Sequence, residues 1–374
     1  MKKKVVFFIP TLEAGGAERN AINLLSGISQ EKYELILLVC QKRGQFLGSV
    51  PSAVPIFELG SLNSFTVFWR VAVFLRHQKP DLFISNLARF NVINLLAKTI
   101  FSSKLRMVVV EHTQVSLLPI TAKSLSHRIF ARFIFPVLAS VLYRGASAVV
   151  AVSAGVAKDL TPVLKKQIDV RVIYNPVVSK DIFALSSEEV RYPWFADKKI
   201  PIILSVGRLV KAKNHGLLLK AVASVLKKKD VNLVILGEGN ERKDLENLAL
   251  ALGIQNNVSL IGFKDNPFAY MAKADVFVNS SIREGFGNSI VEAMALGLPV
   301  ISTDCSGPAE IIGDSGIIVP QENVSALADA IIKVLEDDIS RKSILVKAKQ
   351  RSNNFLIETS VKNYEKLFDQ LLGE

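Results

Sequence analysis

The chain has 374 residues, 49% hydrophobic and 8% aromatic, which is enough to build a core in each of two domains and too apolar for intrinsic disorder. Its two cysteines, Cys40 and Cys305, exclude a disulfide scaffold and a four-cysteine zinc site. The net charge of +12 lies in the first half: residues 1–175 carry 22 lysines and arginines against 9 aspartates and glutamates, and residues 176–374 carry 24 against 25.

Short apolar runs alternate with helical patterns along the chain. In the first half, strands are predicted at 5–9, 35–40, 82–85, 107–111 and 148–152, and helices at 17–28, 65–77, 90–100 and 124–143. In the second half, strands are predicted at 202–206, 233–236, 259–261, 276–279, 300–302 and 317–319, and helices at 215–228, 241–252, 289–296 and 325–337. Continuous apolar strands indicate parallel sheets covered on both faces. The sequence therefore predicts an α/β protein with two Rossmann-like doubly wound domains facing a central cleft.

Proline, serine and charged residues concentrate between residues 175 and 201, where the apolar period fades. This pattern predicts an N-terminal domain at 1–178, a linker at 179–200 and a C-terminal domain at 201–355. Residues 356–374 form a further predicted helix, which could pack back on the N-terminal domain. We expect neither a signal sequence nor a membrane-spanning helix, because polar residues and prolines interrupt the apolar runs early.

Polar segments follow several predicted strands, where open α/β sheets bind their ligands. Gly15 and Gly16 let the backbone approach a phosphate at a helix start, although a plain β–α turn would use the same glycines. Arg208 and Lys213 follow the strand at 202–206 and suit a diphosphate, with a solvated basic loop as the alternative.

Two glutamates, Glu284 and Glu292, stand eight residues apart around a glycine-rich segment. They would lie about two helical turns apart, where they could accept hydrogen bonds from sugar and ribose hydroxyls, and Asn288 between them is a candidate N-cap. The alternatives are a solvated helical glutamate and a tight turn around a buried ring. His112 ends a predicted strand, where it could contact a sugar hydroxyl or move a proton, although a lone histidine is more often structural.

Together these segments resemble family 4 of the retaining glycosyltransferases, which have the GT-B fold. The segments that carry the resemblance are 15–19, 206–208 with Lys213, 237–239, 284–292, 299–304 and 307–311. The resemblance spans nearly the whole chain and is most specific between residues 204 and 320.

The resemblance implies a role for each matching residue. The catalytic residues would be His112, Arg208, Lys213 and Glu284. The donor-binding residues would be Gly15, Gly16, Glu238, Ile261, Gly262, Phe263, Gly285, Phe286, Gly287, Asn288 and Glu292. The donor would be a nucleotide sugar, UDP-linked in the favoured case, and it is a co-substrate, so no cofactor is implied. No Asp-x-Asp segment occurs, and we therefore expect no metal site.

The predicted helix at 124–143 places apolar residues at every fourth position, flanked by Lys123, Arg128 and Arg132. Together with the positive first half, this pattern predicts a peripheral contact with an anionic membrane at its cytoplasmic face. A core helix with solvated arginines is the alternative. The acceptor would then be a lipid-linked saccharide. A nucleic-acid partner is not expected, because interleaved aromatic platforms are missing. A GT-B nucleotide-sugar epimerase and a transferase with a soluble acceptor remain as alternatives.

Overall fold

The computed structural model describes residues 2–13, 15–117, 129–164, 168 and 170–373. The chain divides into two compact units: unit 1 comprises Met1–Pro176 and Ile357–Glu374, and unit 2 comprises Val177–Leu356. Each unit contains one parallel sheet with flanking helices, which confirms the predicted α/β class with two Rossmann-like domains. The segment predicted as a linker, 179–200, lies within unit 2 and contains two short helices.

The sheet of unit 1 has its longest strands at the centre and short strands at both edges. Its strands are β1 (Lys3–Ile9), β2 (Tyr33–Val39), β3 (Ile56–Glu58), β4 (Leu82–Asn86), β5 (Arg106–Glu111), β6 (Ala148–Ala151) and β7 (Val170–Val172). They pair in the order β3-β2-β1-β4-β5-β6-β7, and every pair is parallel. The edge strands β3 and β7 escaped the sequence prediction because they have three residues each and are partly exposed.

Helices cover both faces of this sheet. They are α1 (Gly16–Gly27), α2 (Ser64–Gln78), α3 (Ala88–Phe101), α4 (Phe135–Leu142) and α5 (Ala154–Val163). The predicted helix at 124–143 is described only from Ile129, and a π-helical turn at Phe130–Ile134 precedes α4. Pro136 is the second residue of α4, directly after this π-helical turn.

Unit 2 repeats the architecture with a sheet of shorter strands. These are β8 (Ile202–Val206), β9 (Asn232–Leu236), β10 (Val258–Gly262), β11 (Val276–Asn279), β12 (Val300–Thr303) and β13 (Ile317–Val319). Their order is β10-β9-β8-β11-β12-β13, again parallel throughout. The strand order reverses between β8, the first strand of this unit in the sequence, and its neighbour β11. Ligands are therefore expected beyond the carboxyl ends of these two strands.

The helices of unit 2 begin mostly at the loops that follow these strands. They are α6 (Asp181–Ser186), α7 (Pro193–Ala196), α8 (His215–Val225), α9 (Arg242–Ala251), α10 (Phe268–Lys273), α11 (Asn288–Ala295), α12 (Ser306–Ile312), α13 (Val324–Glu336) and α14 (Asp338–Ser352). Helices α8 and α13 bury their apolar sides in the same core, to which Leu218 and Ile331 contribute.

The last helix, α15 (Ile357–Leu372), belongs to unit 1. Phe368 packs edge-on against Phe7 of β1 and Tyr33 of β2, and the Tyr33 hydroxyl donates to Asp369. A Cβ on Gly27 of α1 would lie 2.6 Å from the side chain of Val361, so glycine lets α1 and α15 pack closely. Unit 1 is therefore built from both ends of the chain.

Candidate functional site

Glycines join the loops that follow β8 and β9. Gly237 has a φ of +150°, and a Cβ there would lie 2.0 Å from the carbonyl oxygen of Gly207. A Cβ on Gly239 would lie 2.1 Å from the carbonyl oxygen of Leu209. Only glycine permits this approach. The packing holds Arg208 at the carboxyl edge of the sheet, where its side chain is exposed and no ion pair within the described residues engages it.

The structure brings Lys213 and Glu284 into direct contact as an ion pair. Lys213 ends a 3₁₀ turn after β8, and Glu284 follows β11. Two hydrogen bonds join the two loops: the Ser280 hydroxyl donates to the Lys213 carbonyl at 2.9 Å, and the Ile282 N–H donates to the Ala212 carbonyl at 2.9 Å. Both charged side chains are about one-fifth exposed, so a ligand can still reach them.

The segment between Glu284 and α11 has a backbone that only glycines allow. Gly287 has a φ of +101° and is the N-cap of α11, so the prediction of Asn288 as N-cap is wrong: Asn288 is the first helical residue. A Cβ on Gly307 would lie 2.7 Å from the carbonyl oxygens of Glu284 and Gly285. The close approach of α12 therefore fixes the backbone of this segment, whose N–H groups lead into a helix start.

Two other side chains of this motif are buried. The Phe286 ring packs edge-on against Phe355, with ring centroids 5.6 Å apart, so its side chain serves packing and only its backbone can face a ligand. Glu292 on α11 is 5% exposed, which excludes the alternative of a solvated helical glutamate. The contact of Glu292 with ribose stays a prediction.

Glu238 is held by an arginine that the sequence had not singled out. Arg242 donates to both carboxylate oxygens of Glu238, at 2.7 and 3.0 Å, and also to the Leu260 carbonyl at 3.2 Å. These bonds hold the pKa of Glu238 below its usual value. A Cβ on Gly262, which has a φ of +89°, would lie 2.8 Å from Glu238. Gly262 therefore lies directly beside Glu238 in the structure, and the contact of the segment 261–263 with a base stays a prediction.

In unit 1, Gly15 is the N-cap of α1 and Gly16 begins the helix, whereas Ala14 lies outside the described residues. The N-cap itself makes no side-chain hydrogen bond, and the carboxylate of Glu18 lies at this helix start, where a Cβ on Gly15 would be 2.2 Å from its Oε2. The Arg19 guanidinium, on the first turn, lies 4.7 Å from the centre of the Phe46 ring.

His112 follows β5 and is anchored by Asn86 at the end of β4. The Asn86 amide nitrogen donates to the Phe8 carbonyl at 3.0 Å, so its oxygen faces the His112 ring, 2.8 Å from Nε2. The Nε2 of His112 therefore carries the proton, and Nδ1 keeps a free lone pair. Desolvation lowers the pKa of His112 to about 4, so the ring is neutral at neutral pH.

Next to His112 is a buried carboxyl group that sequence reasoning had passed over. Glu111 accepts hydrogen bonds from the Tyr143 hydroxyl and from the Asn91 amide. Burial raises the pKa of Glu111 to about 7, although both hydrogen bonds act in the opposite direction. No local pattern signals this cluster, because Tyr143 lies 32 residues away along the chain.

The apolar stripe predicted to contact a membrane, on the helix at 124–143, lies only partly within the described residues. Lys123 and Arg128 lie outside the described residues, and Arg132 is exposed. Phe133, Val137 and Val141 of the stripe are each about 60% exposed, so these three residues do not belong to the core. Over the described part of the chain, no helix is long and apolar enough to span a membrane. Nor do the described side chains include a group of three or more His, Cys, Asp or Glu residues that could hold a metal ion.

Two family models divide the chain between them. Residues 14–180 match Glycosyltransferase Family 4, and residues 186–351 match Glycosyl transferases group 1. The N-acetylgalactosamine-N,N'-diacetylbacillosaminyl-diphospho-undecaprenol 4-alpha-N-acetylgalactosaminyltransferase of Campylobacter jejuni is 33% identical over 94% of this chain and 96% of its own. A second Campylobacter jejuni enzyme, the GalNAc-alpha-(1->4)-GalNAc-alpha-(1->3)-diNAcBac-PP-undecaprenol alpha-1,4-N-acetyl-D-galactosaminyltransferase, is 26% identical over 98% of this chain and 99% of its own.

Solved structures share the fold. HepE of Anabaena, crystallised with UDP and glucose, superimposes with a TM-score of 0.80 over 98% of this chain and 100% of its own, at 22% identity. The two-domain GT-B architecture is therefore confirmed. With a relative of 33% identity matched over nearly its full length, the chain belongs to glycosyltransferase family 4.

Proposed function

We propose that this glycosyltransferase moves a hexose or an N-acetylhexosamine from a UDP-sugar to a lipid-linked saccharide in surface-polysaccharide synthesis. The observation that carries the proposal is the ion pair of Lys213 and Glu284 beside the glycine-rich start of α11. A cation, a carboxylate and helix N–H groups meet there at the carboxyl edge of a parallel sheet, where such sheets bind nucleotides. Lys213 and Arg208 would bind the diphosphate, Glu284 the sugar and Glu292 the ribose.

The reaction would retain the anomeric configuration and proceed without a metal ion. The acceptor oxygen attacks the anomeric carbon from the face on which the diphosphate departs. The bond from the anomeric carbon to the diphosphate oxygen breaks, and that oxygen takes the acceptor proton. Arg208, Lys213 and the N–H groups at the start of α11 would stabilise the departing charge, each charged hydrogen bond contributing roughly 1.5–3 kcal/mol.

His112 would assist as a neutral group. Its Nε2 proton is engaged by Asn86, so Nδ1 would be left to accept a hydrogen bond from a sugar hydroxyl. The lowered pKa of His112 means that the ring is uncharged at neutral pH and acts through hydrogen bonds alone.

The names of the two Campylobacter relatives support the acceptor class, since both specify undecaprenol diphosphate carriers. HepE supports the donor nucleotide, because its structure contains UDP. A lipid carrier would place the enzyme at the cytoplasmic face of an anionic membrane, with no nucleic acid among its partners. The excess of positive charge in residues 1–175 agrees with that location.

A donor panel tests the proposal. UDP-, GDP- and ADP-linked hexoses and N-acetylhexosamines are incubated with the enzyme, first alone to detect slow hydrolysis and then with an undecaprenyl-diphosphate saccharide. We expect transfer from a UDP-sugar, an unchanged anomeric configuration by NMR, and full activity in excess EDTA. Release of free sugar that an acceptor does not accelerate would contradict transfer to a saccharide. An inverted product would contradict retention of the anomeric configuration. Loss of activity in EDTA, with rescue by Mn²⁺, would contradict a reaction without a metal ion.

A further inference from the structure

Three helices cover one face of the unit 1 sheet and share a single core. Val71 of α2, Leu95 of α3 and Ala139 of α4 all point into this core together with Phe83 of β4. The inner sides of the three helices are therefore occupied by the sheet, and their outer sides form one continuous surface, with α3 packed between α2 and α4.

That outer surface is unusually apolar. Its exposed large hydrophobic side chains, here called the aromatic face, are Phe65, Trp69 and Val73 of α2, Leu96, Ile100 and Phe101 of α3, and Phe133, Ile134, Val137 and Val141 in and before α4. Phe65 is 72% exposed and Ile100 58%. Scattered apolar side chains are normal on a surface, but a contiguous group of this kind marks a contact with a protein or a membrane.

Trp69 organises the aromatic face. Its ring lies 5.1 Å from that of Phe68, 6.3 Å from that of Phe65 and 5.6 Å from that of Phe101, measured between ring centroids. These contacts join the outer sides of α2 and α3 into one rigid patch. Tryptophan in such a position has an apolar body and a polar N–H, which is the chemistry enriched at the boundary between lipid headgroups and hydrocarbon.

The charge around the aromatic face is mostly positive. Residues 58–159 contain twelve lysines and arginines against four acidic residues, Glu58, Asp81, the buried Glu111 and Asp159. None of the helices α2, α3 and α4 contains a carboxylate. Arg70, Lys104 and Arg144 are exposed cations in or beside these helices. At these three helices an anionic surface would therefore meet attraction and no carboxylate, with about 1 kcal/mol for each lysine or arginine near it.

We propose that the aromatic face docks unit 1 on an anionic lipid bilayer, with Trp69 at the level of the headgroups. The charge pattern favours a bilayer over a second copy of this chain, since two such faces would bring like charges together. The inference extends the proposed function, because a lipid-linked acceptor lies in such a membrane. It extends the apolar stripe predicted on the helix at 124–143, of which Phe133, Val137 and Val141 belong to the aromatic face, to a surface built from three helices.

The tryptophan count allows a direct test. The chain has two tryptophans, Trp69 and Trp194, so Trp194→Phe leaves Trp69 as the only indole. Vesicles of phosphatidylglycerol and phosphatidylcholine in equal parts should shift its emission to the blue, and pure phosphatidylcholine vesicles should not. The matched Trp69→Phe variant, which keeps Trp194, should show no shift. An unshifted Trp69 emission while the protein cosediments with the anionic vesicles would overturn the proposal.

Substitutions in the aromatic face provide a second test. Phe65→Ser together with Trp69→Ser should weaken cosedimentation with the anionic vesicles at least tenfold, whereas Leu250→Ser, an exposed apolar residue of unit 2, should leave it unchanged. Arg70→Gln should weaken it about fivefold and reduce its salt dependence. A blue shift that depends on protein concentration in the absence of lipid would identify a second copy as the occupant and overturn the proposal.

Vesicle binding needs no sugar substrate, so the two proposals can fail separately. If wild-type protein binds the vesicles but transfers no sugar in the donor panel, the proposed function fails and the docking surface stands. If it transfers sugar to an acceptor dispersed in detergent but ignores anionic vesicles, the docking proposal fails alone.

Discussion

The two units share an architecture but place their polar groups differently. In unit 2, glycines and backbone hydrogen bonds tie together the loops after β8, β9, β11 and β12, and the charged groups Lys213 and Glu284 remain accessible at the sheet edge. In unit 1, Glu111 is buried and accepts hydrogen bonds from Tyr143 and Asn91, and the partly exposed His112 is anchored by Asn86. The sheet edge of unit 2 therefore presents charged groups that a ligand can reach, and the sheet edge of unit 1 holds Glu111 and His112 in fixed orientations.

This difference has a physical origin in desolvation. A partly exposed ion pair can exchange one partner for a ligand phosphate without leaving a buried charge behind. A buried carboxyl group cannot exchange its partners in this way. Burial raises the pKa of Glu111 to about 7, so this group is partly protonated near neutral pH. The first arrangement suits a site that must accept and release a charged donor, and the second suits a rigid support for a neutral hydrogen-bonding residue.

The largest expected effect is the loss of the charged pair in unit 2. Lys213→Ala should lower the rate of transfer by about 10²–10³-fold, because the departing diphosphate loses a preorganised cation. Thermal unfolding should change little. Lys211→Ala, two residues earlier and exposed, is the matched control and should keep near wild-type turnover. Near-normal turnover by purified Lys213→Ala would remove Lys213 from the site.

The second prediction concerns the buried carboxyl of unit 1. The pKa of Glu111 is raised from 4.5 to about 7 in the folded chain, so its stabilising effect is present below about pH 4.5 and is lost as pH rises through about 7. Relative to Glu111→Gln, the wild-type free energy of unfolding of unit 1 should fall by about 3 kcal/mol across this range. Chemical denaturation of the Trp194→Phe background, followed by Trp69 fluorescence, measures it.

Tyr143→Phe sharpens the same experiment. The Tyr143 hydroxyl donates to Glu111 and favours its charged form, so its removal should raise the pKa of Glu111 and move the pH-dependent loss of stability to higher pH. A difference between wild type and Glu111→Gln that does not change with pH would show that Glu111 titrates normally.

A third prediction tests whether close backbone packing positions the donor site. Gly307→Ala would place a Cβ 2.7 Å from the carbonyl oxygens of Glu284 and Gly285, so this segment must shift. Small displacements at a reacting centre slow a reaction strongly. We therefore expect the rate of transfer to fall by about tenfold to 10²-fold, with a higher KM for the donor.

Gly216→Ala is the matched control, since Gly216 and Gly307 are each the second residue of their helix. A Cβ on Gly216 would meet only the flexible side chain of Leu248 at 3.5 Å. Its activity should match that of the wild type. Equal effects of the two substitutions would show that helix geometry, and not contact with Glu284, accounts for the loss.

The parts that sequence could predict are those with local causes. Continuous apolar runs identified β1 and β8, and glycines beside charged residues identified the segments around Gly16, Arg208 and Glu284. The three-residue edge strands β3 and β7 have no such run. The pairing of Lys213 with Glu284 joins residues 71 positions apart along the chain. The burial of Glu111 depends on Tyr143, which lies 32 positions away. These features follow from tertiary packing, which composition and spacing do not reveal.

The smallest expected effect separates a donor contact from a surface ion pair at Glu238. Arg242 binds Glu238 and also Glu246, one turn further along α9, and the two carboxylates are equally exposed. Exposed pairs of this kind contribute little to stability, so neither Glu238→Ala nor Glu246→Ala should change thermal unfolding much.

Only Glu238 lies against Gly262 in the region expected to bind the base. Glu238→Ala should therefore raise the KM for the UDP-sugar about threefold, whereas Glu246→Ala should leave it unchanged, because a single partly solvated hydrogen bond is worth about 0.5–1.5 kcal/mol. Equal KM values for both variants, measured by initial rates over a range of donor concentrations, would assign Glu238 to the surface and restrict the donor site of unit 2 to the loops after β8 and β11.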